Sequence, residues 1–291
     1  MNWKYLLIAL EVVLFSHNIF TRAQSADSTR GEPDQSWVGQ RIVMLHGWGA
    51  VHVGNETRAK TVVGINIVSV VTRVEERRLW VASTGADITG WITTRDVVLL
   101  SDGISFFTAA IARNNNDWDA YLRRAEVEHA LNDRDSATSD YTKAIELHPT
   151  ESFLYLRRAR HYATLKACSL ELRDLEQAIT LVPHSARQDY NLTAELYGQE
   201  SGVYASCPDP TIHDPQKAVA TARRAVSLDR SRPTLLTILA NAYAGEGDFA
   251  NAVRYQQQAL RSKQFPPGYR QNAESQLHTY EQRLVGDKSK N

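Results

Sequence analysis

The chain has 291 residues, room for two domains, and its 43% hydrophobic content excludes wholesale disorder. Its 33 basic and 33 acidic residues cancel, so no net field draws it to nucleic acid or to an acidic lipid surface. Two cysteines do not make a disulfide-dependent scaffold, and nine histidines without a His-x-x-x-His spacing indicate no metal site, so no metal or cofactor is expected.

Residues 1–23 read as an export signal. Lys4 supplies the positive start, residues 5–15 form an apolar run broken only by Glu11, and Thr21-Arg22-Ala23 places small residues where a signal peptidase cuts. Cleavage leaves an exported chain, periplasmic or secreted, whereas retention leaves an N-terminal anchor. No later segment reaches the ~18 apolar residues of a membrane helix, so the cleaved chain is not expected to be an integral membrane protein. Residues 24–36 are polar, with Gly31 and Pro33, and read as a flexible tether.

Between residues 37 and 100 the texture is that of a small β-domain. Strand-like runs at 41–44, 50–53, 66–74, 79–82 and 89–93 are separated by Gly47, Gly49, Gly54, Gly64, Gly85 and Gly90, which permit tight turns. Closure into a barrel or roll is how such short strands hide their edges. Gly90-Trp91-Ile92 followed by Thr94-Arg95-Asp96-Val97-Val98 resembles the end of a bacterial SH3-like domain. That resemblance implies a small barrel with Trp91 in its core. His46-Gly47-Trp48-Gly49 reads as a β-turn rather than an oxyanion loop, since no Gly-x-Ser-x-Gly elbow accompanies it.

After Ser101 the period changes to that of helices, and a repeat emerges. Tyr121-Leu122-Arg123-Arg124-Ala125 recurs 34 residues later as Tyr155-Leu156-Arg157-Arg158-Ala159, and Ala144 and Pro149 recur as Ala178 and Pro183. That period is the period of the tetratricopeptide repeat, a pair of antiparallel helices. A copy starting at Trp118 supplies Ala125, Ala137, Tyr141, Ala144 and Pro149, and one starting at Pro233 supplies Ala240, Tyr243, Gly247, Ala252 and Ala259. Small residues at fixed places let helices approach to ~8–10 Å, and stacking supplies the core that a lone pair cannot build. The expected organisation is a half repeat at 103–116 and repeats at 118–151, 152–185, 186–232 and 233–266, with a capping helix and tail at 267–291. The third repeat carries a 13-residue insertion placed around Cys207 to Pro215, where three prolines exclude helix. The fold class is therefore α+β multidomain, a small SH3-like β-barrel followed by an all-α tetratricopeptide solenoid.

This order resembles a group of exported bacterial repeat proteins. The pieces that carry the resemblance are Cys207-Pro208-Asp209, Lys217-Ala218-Val219 and Gly247-Asp248-Phe249. Where that group has a second cysteine near Ala225, this chain has Val226. In the expected register Cys168 and Cys207 fall at the same end of neighbouring repeats, which leaves their pairing open.

No nucleophile–base pair or metal spacing stands out, so the chain reads as non-enzymatic. The concave face of a tetratricopeptide array is lined by its first helices, where Arg123, Arg157, Arg160, His129 and Asn241 are the candidate peptide-binding residues. Arginine forks suit carboxylates and phosphates. Glu126 occupies the place where a carboxylate clamp needs asparagine, and pairing of these arginines with nearby acids is the competing account. The glutamines at 256–258 read as a solvated helix face. Function reads as an interaction scaffold or adaptor of the cell envelope, holding a protein or peptide in the groove. The alternative is an SH3-like module that binds a cell-wall polymer, with the repeats as a spacer. No nucleic-acid partner is expected.

Overall fold

The structure, a computed structural model, describes residues 33–45, 48–51, 60–63, 68–83, 89–182 and 187–288. The export signal at 1–23, most of the tether, the turn at His46-Gly47 and Pro183 lie outside the described residues. The chain divides into two compact units at Ala109/Ala110.

The first unit holds seven described strands: β1 (Arg41–Met44), β2 (Trp48–Val51), β3 (Lys60–Val63), β4 (Val68–Glu75), β5 (Arg78–Ser83), β6 (Thr89–Thr93) and β7 (Val97–Leu99). Five form an antiparallel sheet in the order β6-β5-β4-β1-β7, and β2 pairs with β3 in a second, two-stranded sheet. The five-stranded sheet is open, with β6 and β7 at its ends, so the closed barrel expected from the strand spacing is not formed by the described residues. Its core face gathers Ile42, Met44, Val71, Val74, Leu79, Val81, Ile92 and Val97. Strand alternation explains that list except at one place. Val71 and Val74 share a face although three residues apart, because a bulge between Val71 and Arg73 inserts Thr72.

The same alternation corrects the expectation for Trp91. Ile92 is the core residue, so Trp91 lies on the opposite face and is only half-buried. There it meets its cross-strand partner Trp80 edge-on at 5.2 Å, with the Arg73 and Arg78 guanidinium groups 5.3 and 5.1 Å from its ring.

Helix α1 (Leu100–Arg113) follows β7 directly and contains the division between the two units. Four antiparallel helical pairs then stack: α2 (Trp118–Ala130) with α3 (Arg134–Leu147), α4 (Ser152–Thr164) with α5 (Cys168–Leu181), α6 (Arg187–Ser206) with α7 (Pro215–Leu228), and α8 (Pro233–Glu246) with α9 (Phe249–Arg261). The turn inside a pair is set locally. Asn132, Lys166 and Gly247 stand at the same place in three repeats, and each takes positive φ, of 65°, 56° and 90°. The next residue's amide then closes each turn by bonding back to Glu128, Tyr162 or Tyr243. Asp133, Asp214 and Asp248 cap the second helices that follow by accepting from backbone amides.

In the third repeat the extra length is shared between helix and loop. Helix α6 runs for 20 residues against 13 in α2 and α4, and the proline-containing segment 207–214 forms the loop to α7. Cys207 opens that loop and is bonded to Cys168, the first residue of α5, with Cα atoms 6.1 Å apart. The last helix, α10 (Pro267–Lys288), packs on α9. Gln256 is fully buried in that contact and donates to the Ala273 carbonyl at 2.9 Å, which corrects the reading of residue 256 as solvated; Gln258 is exposed.

Every alanine of the repeat pattern is fully buried: Ala125, Ala137 and Ala144, then Ala159 and Ala178, then Ala218 and Ala225, then Ala240, Ala252 and Ala259. One place departs. Where the other repeats have Ala137, Ala218 and Ala252, the second has Glu171, and burial pushes its carboxyl up to about 7. Arginine at Ala144 or Ala178 should unfold its repeat through overpacking and a buried unpaired charge, read as a collapse of the thermal transition. Glu171→Ala should instead stabilise the chain. Its folded pKa lies above the unfolded value, so the wild type loses stability as pH rises from 4.5 to about 7. The gain in Tm from the substitution should therefore grow across that window, and a pH-independent gain would contradict the assignment.

Candidate functional site

The first helices carry the five residues picked out by spacing, and the structure accounts for each. Arg123 is 2% exposed, and its Nε and Nη2 donate to Asp119 Oδ1 at 3.3 Å, one turn back on α2. Arg157 is 5% exposed, with Nη1 3.6 Å from Glu126 Oε1 and the guanidinium 4.5 Å over the Phe153 ring. Arg160 pairs with Glu195 of α6 and keeps 35% of its side chain exposed. Burial and the neighbouring Arg157 charge pull Arg160 down to about 10.

His129 Nδ1 shares a hydrogen bond of 2.9 Å with His161 Nδ1, whose other nitrogen meets the Thr138 hydroxyl at 2.8 Å. Burial, then the His129 charge, hold His161 below the usual imidazole range. Asn241 Oδ1 accepts from the Tyr280 hydroxyl of α10. The competing account, in which these arginines pair with nearby acids, describes their contacts. All three arginines are paired within the repeats, and two are buried: Arg123 with an acid of its own helix, Arg157 and Arg160 with acids that the stack brings from neighbouring repeats.

Two further arginines, next in sequence to the chosen ones, do more for the array. Arg124 Nη2 donates to Asp140 Oδ1 at 2.9 Å, and Arg158 donates to both Asp174 oxygens at 2.7 and 2.8 Å. These bidentate bridges tie first to second helix at the same place in the first two repeats. Beside Arg124, Glu128 is 6% exposed, and burial and then the Asp140 charge push its carboxyl up to about 7.

Spacing did not reveal a cavity of about 300 Å³ between α7, α8 and α9. Its walls include Arg223 and Arg230 from α7 and the turn after it, Leu239 and Tyr243 from α8, and Arg254 and Tyr255 from α9. All three arginines are exposed, and among the described residues none has a carboxylate in ion-pair range. Asp248, which feels the Arg254 charge, is committed to capping α9 through the Asn251 amide. Arg223 Nε donates to the Tyr243 hydroxyl at 2.8 Å. The Tyr243 and Tyr255 rings stack at 5.5 Å and 5°, and the Arg254 guanidinium lies 4.6 Å from the Tyr255 ring. Nothing in sequence marks this cluster, because its arginines come from two repeats and share no short motif. Among the described residues no group of histidines, cysteines and acids has the arrangement of a metal site, and no helix is long and apolar enough to cross a membrane.

The Arg157–Glu126 pair yields a stability prediction. Arg157 Nε and Glu126 Oε1 are buried without hydrogen-bond partners, so the pair neutralises charge but is poorly satisfied. Arg157→Ala strands the carboxylate and should cost about 3–5 kcal/mol, seen in denaturant unfolding. A variant with the wild-type midpoint would return Arg157 to the list of ligand residues.

Residues 119–151 and 233–265 match the family model of the tetratricopeptide repeat. No curated protein matches the chain. Solved structures similar to it include the protein MamA, at 17% identity over 55% of this chain and 86% of that one, TM-score 0.43. TTC0263, a thermophilic TPR protein of Thermus thermophilus, is 20% identical over 64% of this chain and 91% of its own, TM-score 0.43. YrrB, a TPR protein with an unusual peptide-binding site, is 18% identical over 60% of this chain and 81% of its own, TM-score 0.42. The matched segments coincide with the pairs α2–α3 and α8–α9, and the helical unit is a tetratricopeptide-type solenoid.

Proposed function

We propose that this chain is an exported, non-enzymatic scaffold of the cell envelope that holds a protein or peptide partner on its helical repeats. The observation that carries this reading is the stack itself. Paired helices bury their alanine seams against one another and leave long side chains of α4 and α6, Arg160 and Glu195 among them, partly exposed along the first-helix row. No catalytic family is indicated by the matches, and tetratricopeptide segments frame both ends of the stack. A surface built of successive rigid helices suits an extended partner better than a small substrate.

A second reading has its own observation. Trp80 and Trp91, flanked by Arg73 and Arg78, form a half-buried aromatic face on the β-unit that the hydrophobic core does not use. Such a face suits a wall polymer. Crosslinking of the full chain in envelope extracts, with the crosslinked sites mapped by mass spectrometry, separates the two. Partner crosslinks on α2 to α9 support the scaffold. Crosslinks confined to β4–β6, or retention on isolated wall polymer that is lost in Trp91→Ala, support the second reading.

A further inference from the structure

The fourth repeat breaks a pattern that the first two keep. Arg124 and Arg158 occupy the same place in α2 and α4, and Asp140 and Asp174 the same place in α3 and α5. Arg158 also reaches the preceding repeat, donating to the Thr142 hydroxyl at 3.0 Å. In the fourth repeat those two places hold Leu239 and Tyr255. The guanidinium that fills the space and the carboxylate that neutralises it are both replaced, and both replacements line the cavity of about 300 Å³.

What remains is an excess of donors. Arg223 comes in from α7 and is steadied by the Tyr243 hydroxyl at 2.8 Å, while Arg254 lies 4.6 Å from the Tyr255 ring. Arg230 stands on the rim. The Tyr243 hydroxyl accepts from Arg223 and has no acceptor for its own proton among the described residues. Three cations and a hydroxyl proton thus line one cavity, whose remaining wall mixes the polar Ser227 and Asn251 with Val226, Leu239 and the stacked rings. A planar guanidinium held on an aromatic ring is oriented in advance for a two-oxygen acceptor.

We propose that the cavity between α7, α8 and α9 binds a carboxylate side chain from an acidic segment of a partner protein, which supplies the acid that the fourth repeat lacks. Arg223 and Arg254 take the carboxylate oxygens, Arg230 takes a neighbouring acid, and Leu239 and Val226 receive the methylene groups. A carboxylate is favoured over a phosphate by the register, since the group missing at the place of Asp140 and Asp174 is an aspartate carboxylate. The proposal rests on the scaffold reading but uses none of Arg123, Arg157 and Arg160, and its three arginines come from the second helices α7 and α9 and the turn after α7.

The test is fluorescence anisotropy of the full chain with a fluorescein-labelled peptide, Leu-Glu-Glu-Leu-Glu-Glu, and its Gln-for-Glu counterpart. Saturable binding of the acidic peptide alone is expected. Arg223→Gln and Arg254→Gln should each weaken it by about tenfold or more, as loss of a charge-assisted bond requires. Binding should also fall as salt is added. Arg261→Gln, outside the cavity, serves as the unaffected control. The double variant Leu239→Arg with Tyr255→Asp rebuilds the bridge of the first two repeats, and it should keep the helical circular-dichroism spectrum and lose the peptide. Equal binding of the Gln peptide, tighter binding of single-stranded DNA, no saturable binding, or binding that survives both single arginine variants would overturn the proposal. Such a failure would leave partner crosslinks on the first helices untouched, so it is distinguishable from failure of the scaffold itself.

Discussion

Close approach of helix backbones at alanine is the constraint on which the helical unit depends. A helix pair separated by ~8–10 Å has no room for a longer side chain where the axes meet, and stacked pairs repeat that demand at each interface. The fully buried alanines meet it in all four repeats, and the left-handed turns at Asn132, Lys166 and Gly247 deliver the second helix at the angle that brings them together. Glu171 stands at one such place and is only partly buried, with burial pushing its carboxyl up to about 7.

Charge is arranged on top of that packing. Tetratricopeptide-type stacking presents first-helix side chains to the next repeat as well as to solvent, so an arginine there meets acids from its own repeat and from its neighbour. Arg123, Arg157 and Arg160 find Asp119, Glu126 and Glu195 in this way. Buried pairs of this kind add little to stability over an apolar contact, but they penalise any register that leaves one member alone. The bridges Arg124–Asp140 and Arg158–Asp174 act the same way within a repeat, fixing which residue of the first helix faces which residue of the second.

The helical part of the fold was legible because its determinants are local and periodic. A 34-residue recurrence, alanines at fixed places and helix-ending prolines can all be read along the chain. Pairing could not be read that way. Arg123-Arg124 and Arg157-Arg158 are equivalent as dipeptides, and only the stack shows that the second member bridges to an aspartate 16 residues on. The β-unit was harder still. Whether five strands close or stay open depends on contacts between distant residues, and the face taken by Trp91 follows from its ladder with β5. Gln256 was misplaced for a related reason, since its burial comes from α10, whose docking leaves no mark near residue 256.

The bond between Cys168 and Cys207 spans 39 residues and joins the start of α5 to the end of the lengthened α6. In a stacked array each interface can part on its own, because each repeat touches only its neighbours. A covalent tie removes one interface from that set. Under tension along the chain the second and third repeats travel as one body, and the array parts first between α2–α3 and α4–α5 or between α6–α7 and α8–α9. Helix α7 then belongs mechanically to the repeat before it, and the two walls of the arginine cavity sit on opposite sides of a seam that is free to widen.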